Sequence, residues 1–133
     1  MQIPVRIVLV ETSHPGNIGA SARAMKTMGL ADLALVQPRA FPDAEATARA
    51  SGADDVLANA RIFDSLEAAV ADCGFVVGAS ARLRSVAWPL ADPRGAAALI
   101  RERGVTNRTA LVFGPEQSGL TNEHLALCQR LVR

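Results

Sequence analysis

Three features of this sequence predict an α/β fold, a mainly parallel sheet with helices on both faces. Short apolar runs recur at Val5 to Val10, Leu33 to Val36, Phe75 to Ala79 and Thr109 to Phe113. Between them lie stretches with helical periodicity, and this alternation is that of strand–helix–strand units. The 133 residues are half apolar and one-fifth charged, which suits a single packed domain and is too apolar for a disordered chain.

Each element has a local reason. Val5 to Val10 is short and rich in β-branched residues, as in a strand buried on both faces, although it contains Arg6. A Gly/Pro/Asn turn follows. Ile18 to Met28 then reads as a helix, with Ile18, Ala22, Met25 and Met28 spaced by three and four and Gly29 as its stop. Leu33 to Val36 is a second buried strand, closed by Pro38. Asp43 to Ala50 is an Ala-rich helix, Asp54 to Asn59 a further helical turn, and Arg61 to Phe63 a short strand. Ser65 to Ala71 opens with Asp64 and Glu67 in a capping-box pattern. After the strand Phe75 to Ala79 comes an Arg-bearing segment reaching Pro89. Asp92 caps a helix with Pro93 at its first position, running to about Arg103 before Gly104. Thr109 to Phe113 is a strand, Gly114 to Gly119 a loop and Thr121 to Cys128 a helix. Leu131 and Val132 begin another buried strand, so the chain is expected to be a truncated part of something longer.

Composition excludes several classes. The net charge of +1 gives no global attraction to nucleic acid or membrane. Of 14 basic residues all but Lys26 are Arg, which beside 25 Ala reads as a compositional bias. Four Phe, Trp88 and no Tyr argue against a single-strand binder built on rows of stacking rings, and Trp88 reads as a packing anchor. Cys73 and Cys128 lack C-x-x-C spacing or a His at ligand spacing, against a metal site or a disulfide framework. Val5 to Val10 is too short for a signal-peptide core and no run reaches the length of a membrane span, so a cytoplasmic domain is expected.

Ligands of open parallel sheets bind at the carboxyl ends of the strands. Three polar loops leave strand ends here: Glu11 to Gly19, Ser80 to Arg84 and Gly114 to Gly119. The last is no phosphate loop, since Leu120 stands where a phosphate-binding Lys belongs and Glu116 would repel phosphate. Two readings of it stand side by side. Either it hydrogen-bonds a neutral or cationic ligand such as an adenosine or a sulfonium, or it is a tight turn with Glu116 capping backbone amides. In the first loop Gly16 and Gly19 permit close backbone approach, and Asn17 either caps the helix or meets a ligand. Arg23 and Lys26 form a cationic stripe, solvated or placed to meet phosphates. Ser80, Arg82 and Arg84 alternate and share one side if extended, forming a small basic rim. His14 and His124 are read as surface or capping residues.

Together these loops resemble a known family. Asn17-x-Gly19-x-x-x-Arg23 resembles the first motif of the SpoU branch of the SPOUT methyltransferases, and Phe113-Gly-Pro-Glu-x-x-Gly-Leu120 its second. Ile7 to His14, Ala22 to Gly29 and Gly78 to Arg84 look most like the members that methylate a cytidine or uridine ribose in the tRNA anticodon loop. The resemblance implies a trefoil-knot fold, S-adenosylmethionine as methyl donor, a tRNA ribose 2'-hydroxyl as acceptor and a homodimer whose active site draws on both subunits. It implies Asn17, Arg23 and Glu116 at the reacting centre and Ala79, Ser80, Ala81, Gly114, Gly119 and Leu120 at the cofactor. Arg82, Arg84 and Lys26 would meet RNA, with no metal and no membrane involved. The family's third motif does not occur before Arg133, so the knot and the cofactor cradle are expected to be incomplete in residues 1–133. A different class of function, a non-catalytic RNA-binding or dimerisation module, predicts tRNA binding without cofactor affinity. A receiver-like domain would need an acidic cluster at the strand ends, where the first strand offers Glu11 alone.

Overall fold

The computed structural model describes residues 4–79, 90–91, 94, 98, 100–101 and 108–132. In chain order the elements are β1 (Val5–Val10), α1 (Pro15–Thr27), β2 (Asp32–Val36), α2 (Ala44–Ala50), α3 (Asp54–Ala58), β3 (Arg61–Phe63), α4 (Leu66–Val70), β4 (Phe75–Ala79), β5 (Leu90–Ala91), β6 (Thr109–Phe113), α5 (Asn122–Leu125) and β7 (Arg130–Val132). The strands form one sheet in the order β3-β2-β1-β6-β4-β7-β5, and every pairing is parallel.

The expected burial on both faces is present. Along β1 successive side chains alternate between two cores, as the period of a strand requires. Val5, Ile7 and Leu9 pack with Ile18, Ala22 and Met25 of α1 and with α2 and α3. Val8 and Val10 pack with Leu66, Ala69 and Val70 of α4, with Leu125 and with Leu131. Gly19 lets α1 and α2 touch, because a Cβ there would lie 2.1 Å from the Ala46 carbonyl oxygen.

Three boundaries differ from the sequence reading. Helix α1 begins at Pro15, not Ile18: His14 is its N-cap, with Nδ1 accepting from the Gly16 amide, and Pro15 occupies the first turn, where a missing N–H costs nothing. The cap of α4 is Ser65, whose side chain accepts from the Ala68 amide, so the capping pattern lies one residue beyond Asp64. Helix α5 is a single turn, held by a reciprocal Thr121–His124 capping box, and does not continue to Cys128. Strand β5 was not anticipated. The strand at Leu131 and Val132 does form, and it inserts between β4 and β5 instead of adding to an edge.

The strand order also locates a crevice. From β1 the chain moves outward through β2 and β3, then returns to the other side of β1 for β4 and β6. The carboxyl ends of β1 and β6 therefore flank a topological switch point, where open α/β sheets bind ligands.

Candidate functional site at the carboxyl ends of the strands

The loop after β1 turns sharply at Glu11, which has a φ of 51°. Its amide donates to the Val36 carbonyl oxygen at 2.7 Å, closing the turn onto β2. The chain then runs through Thr12, Ser13 and His14 into α1. The loop after β6 closes on itself. A Cβ at Gly114 would lie 2.4 Å from the Leu120 nitrogen, Gly119 takes a φ of 71°, and its amide donates to the Pro115 carbonyl oxygen at 2.8 Å. Glycine is thus required at both ends by the loop's own closure.

Glu116 joins the two loops. Its Oε1 accepts from the Ser13 amide at 3.1 Å, and its Oε2 accepts from the His14 amide at 3.0 Å and from Asn17 Nδ2 at 2.8 Å. The capping reading of this carboxylate is realised, since it receives the Ser13 and His14 amides, and it fixes Asn17 as well. Partial burial pushes the carboxyl up, but its own main-chain amide and the hydrogen bonds from Ser13, Asn17 and His14 outweigh it and hold the pKa below the usual Glu value. The carboxylate sits before the first turn of α1, where the helix dipole also favours an anion. Asn17 is therefore no N-cap; His14 takes that role and leaves the Asn17 amide for Glu116.

A cavity of about 260 Å³ opens beside this clamp, lined by Leu9, Thr12, Asn17, Ser21, Phe113 and Glu116. Thr12 and Ser21 were not among the residues singled out from sequence, and Phe113, which opens the second family motif, was given no place in the site. Phe113 is 38 % exposed at the end of β6, unusual for a ring leaving a buried strand.

The remaining expected site residues are dispersed. Arg23 is exposed on α1, outside the lining of this cavity, and makes no ion pair among the described residues. Lys26 donates to Asp55 Oδ2 at 2.7 Å, so the stripe it was expected to share with Arg23 is divided between a tethered and an untethered cation. Ala79 ends β4 in register with Phe113, one residue before Gly114, and with Val132. The Leu120 side chain is fully buried in the core beneath Gly78, which leaves its main chain for any ligand. Ser80, Ala81, Arg82 and Arg84 lie outside the described residues, as does most of the helix expected from Pro93 to Arg103. Among the described residues no helix is long and apolar enough to cross a membrane.

Comparison with known proteins finds relatives along nearly the whole chain. A protein of Pseudomonas aeruginosa named tRNA (cytidine/uridine/adenosine-2'-O-)-methyltransferase TrmJ is 57 % identical over 126 residues, 94 % of this chain and 49 % of that protein. Its Escherichia coli counterpart, named tRNA (cytidine/uridine-2'-O-)-methyltransferase TrmJ, is 54 % identical over 93 % of this chain and 50 % of its own length. The crystal structure of TrmJ from Z. mobilis superposes with a TM-score of 0.91 at 41 % identity, covering 96 % of this chain and 56 % of that one. The chain thus spans about half the length of the curated relatives it matches. The model of the SpoU rRNA Methylase family matches residues 4–133, which include both loops joined by Glu116, and the chain belongs to that family.

Proposed function

We propose that this chain is the methyl-transferring part of a tRNA ribose 2'-O-methyltransferase acting on an anticodon-loop cytidine or uridine, with S-adenosylmethionine as donor. The observation that carries this reading is the Glu116 clamp, which joins Asn17 of the first family motif to the Gly114–Gly119 loop of the second. The names of the relatives identical at 54 to 57 % support the same reading. The expected trefoil knot, homodimer and cytoplasmic location belong to this proposal.

The strand ends fit such a cofactor. Ala79, Phe113 and Gly114 stand side by side where β4 and β6 end, offering small and apolar surface with main-chain polar groups, suited to an adenosine and a sulfonium. The bound cofactor supplies a methyl group activated by positive charge on sulfur. An apolar, partly desolvated crevice favours transfer from a sulfonium to an alkoxide, because charge is lost on the way to the transition state. Glu116 receives three donors and is held ionised, an arrangement that suits it to orient Asn17 and the loop. A guanidinium hardly ever gives up its proton, so Arg23 is not read as a base. Its role is to hold a substrate phosphate and stabilise the developing oxyanion, while the hydroxyl proton leaves to phosphate or water. Exposed and apart from the cavity of its own chain, it would complete the site of a second subunit.

Calorimetric titration of S-adenosylhomocysteine tests this reading, performed on the chain and on a version extended by the family's third motif. Binding by the extended form, with or without binding by the shorter one, is the expected result. Binding by neither would overturn the methyltransferase reading and leave the RNA-binding module.

A further inference from the structure

The amino ends of the strands carry a second polar cavity, of about 340 Å³, that none of the roles above uses. Arg6, Asp32, Arg61, Asp72 and Arg108 line it. Arg6 is 2 % exposed on β1, where a buried cation persists only if it is paired. Its Nε donates to Asp32 Oδ2 at 3.0 Å, and its terminal nitrogens donate to Asp72 Oδ1 and Oδ2 at 2.6 and 3.1 Å. A further bond of 2.8 Å to the Ala69 carbonyl oxygen sets the charge at the carboxyl end of α4, which the helix dipole favours. With these partners Arg6 is structurally complete.

Arg61 lies over the Phe63 ring, 5.5 Å from its centre, a contact that uses none of its N–H donors, and the donors of Arg61 and Arg108 are not explained in the way those of Arg6 are. Asp32 already has Arg6 as a partner, yet Arg61 donates to its Oδ1 at 3.2 Å and Arg108 to its Oδ2 at 2.9 Å. Among the described residues, three guanidinium groups against two carboxylates leave one positive charge uncancelled around the cavity. Both arginines are partly exposed, at 51 % and 39 %. A guanidinium offers about five N–H donors, and among the described residues each of these two has one hydrogen bond, that to Asp32. The shared carboxylate thus holds two like charges side by side against their repulsion, with most of their donors unused. A singly charged group bearing several acceptor oxygens would cancel the surplus and engage forked N–H pairs, which is the chemistry of a phosphate group.

We propose that this cavity is a phosphate-binding site, separate from the crevice at the carboxyl ends, in which Arg61 and Arg108 hold the anion and Asp32 positions them. The phosphate is either a backbone diester of bound RNA or a free phosphate ion. The RNA source rests on the function proposed above; the anion site itself does not. Arg6 and Val10 are four residues apart on β1, roughly 13 Å, so the two sites lie at opposite ends of the same strands.

Side-chain NMR of the full chain tests the site directly. With inorganic phosphate as probe, the Nε–Hε signals of Arg61 and Arg108 should shift and saturate while that of Arg6 moves little. In the R61Q/R108Q double variant, which keeps the Arg6 pairs, the apparent affinity should fall at least about tenfold. Shifts in the unmodified chain that never saturate would overturn the proposal without recourse to any variant, as would unchanged affinity in a folded double variant. Binding of tRNA across a salt series then distinguishes the source. A weaker affinity with a salt slope smaller by about one to two in the double variant identifies the RNA backbone. Loss of phosphate binding with tRNA binding intact identifies the free ion. Saturable phosphate binding in a protein that binds neither tRNA nor S-adenosylhomocysteine would retain this site and discard the function proposed above.

Discussion

Replacing Glu116 by Gln tests the clamp with almost no change of shape. The carboxylate accepts three hydrogen bonds, one at Oε1 from Ser13 and two at Oε2 from His14 and Asn17. A Gln side chain has a single acceptor oxygen. Its best placement puts that oxygen where Oε2 was, keeping two bonds, and turns the NH2 group toward the Ser13 amide, donor against donor. One bond is lost and two fall from charge-assisted to neutral. Charge-assisted bonds contribute about 1.5–3 kcal/mol and neutral ones about 0.5–1.5 kcal/mol. Because Glu116 is exposed, water replaces part of the loss, and the lower end applies, about 1–2 kcal/mol. Amide exchange at Ser13 and His14 reads this directly: about 1.4 kcal/mol corresponds to tenfold faster exchange through local opening. The pH dependence supplies a second signature. The folded-state pKa of Glu116 is depressed, so its contribution is present above the unfolded value near about 4.3 and is lost as pH falls through the lower folded value. Corrected for intrinsic rates, protection at Ser13 and His14 should fall on acidification in the unmodified protein and stay flat in E116Q. Protection that is the same in both proteins at every pH would refute the clamp.

Other substitutions probe the remaining parts. Gly19→Ala places a Cβ 2.1 Å from the Ala46 carbonyl oxygen, forcing α1 and α2 apart; urea unfolding should show a loss of about 1–3 kcal/mol, and an unchanged midpoint would mean the helices separate freely. Arg6→Met removes the partner of Asp72, which is 61 % exposed, and one of three cations from Asp32, so water takes over part of the loss and about 1–2 kcal/mol is expected at neutral pH. The hydrogen bonds from Arg6 depress the Asp72 carboxyl to about 2, so that part of the stability is present above about 3.9 and lost as pH falls toward the folded value. Unfolding curves between these limits should flatten in the variant, and an unaltered acid limb would place Asp72 outside the network. Arg23→Lys retains charge but not the fork; turnover should fall about 100-fold or more, with S-adenosylhomocysteine affinity within about twofold. An equal loss of cofactor affinity would move Arg23 from the acceptor side of the reaction to the donor side.

Local signals in the sequence reached the strands and most helices because those elements are fixed by near neighbours. The run Val5 to Val10 and the spacing of Ile18, Ala22 and Met25 are visible within one or two turns of chain. The early start of α1 was legible too: Pro15 follows the same rule that placed Pro93 at a helix start, with His14 as a less usual cap. Other features depend on residues far apart in the chain. Arg6 looks like a flaw in a buried strand until Asp72, 66 residues away, is brought beside it. Glu116 and the Ser13 amide are 103 residues apart, and no spacing rule joins a carboxylate to a main-chain donor. The resemblance to the family implied Asn17 and Glu116 in one site. The insertion of β7 between β4 and β5 is a matter of topology, which a three-residue strand cannot announce.

The most direct test of the account is methyl transfer itself. S-adenosylmethionine carrying a labelled methyl group would be incubated with an unmodified tRNA transcript and the protein, both as this chain and extended by the third motif, and the product hydrolysed in alkali. A ribose 2'-O-methyl group blocks cleavage at its own phosphodiester, so the account predicts label in an alkali-resistant dinucleotide from the anticodon loop, abolished by Arg23→Lys. Label on a base, label elsewhere in the tRNA or no transfer by either form would contradict it.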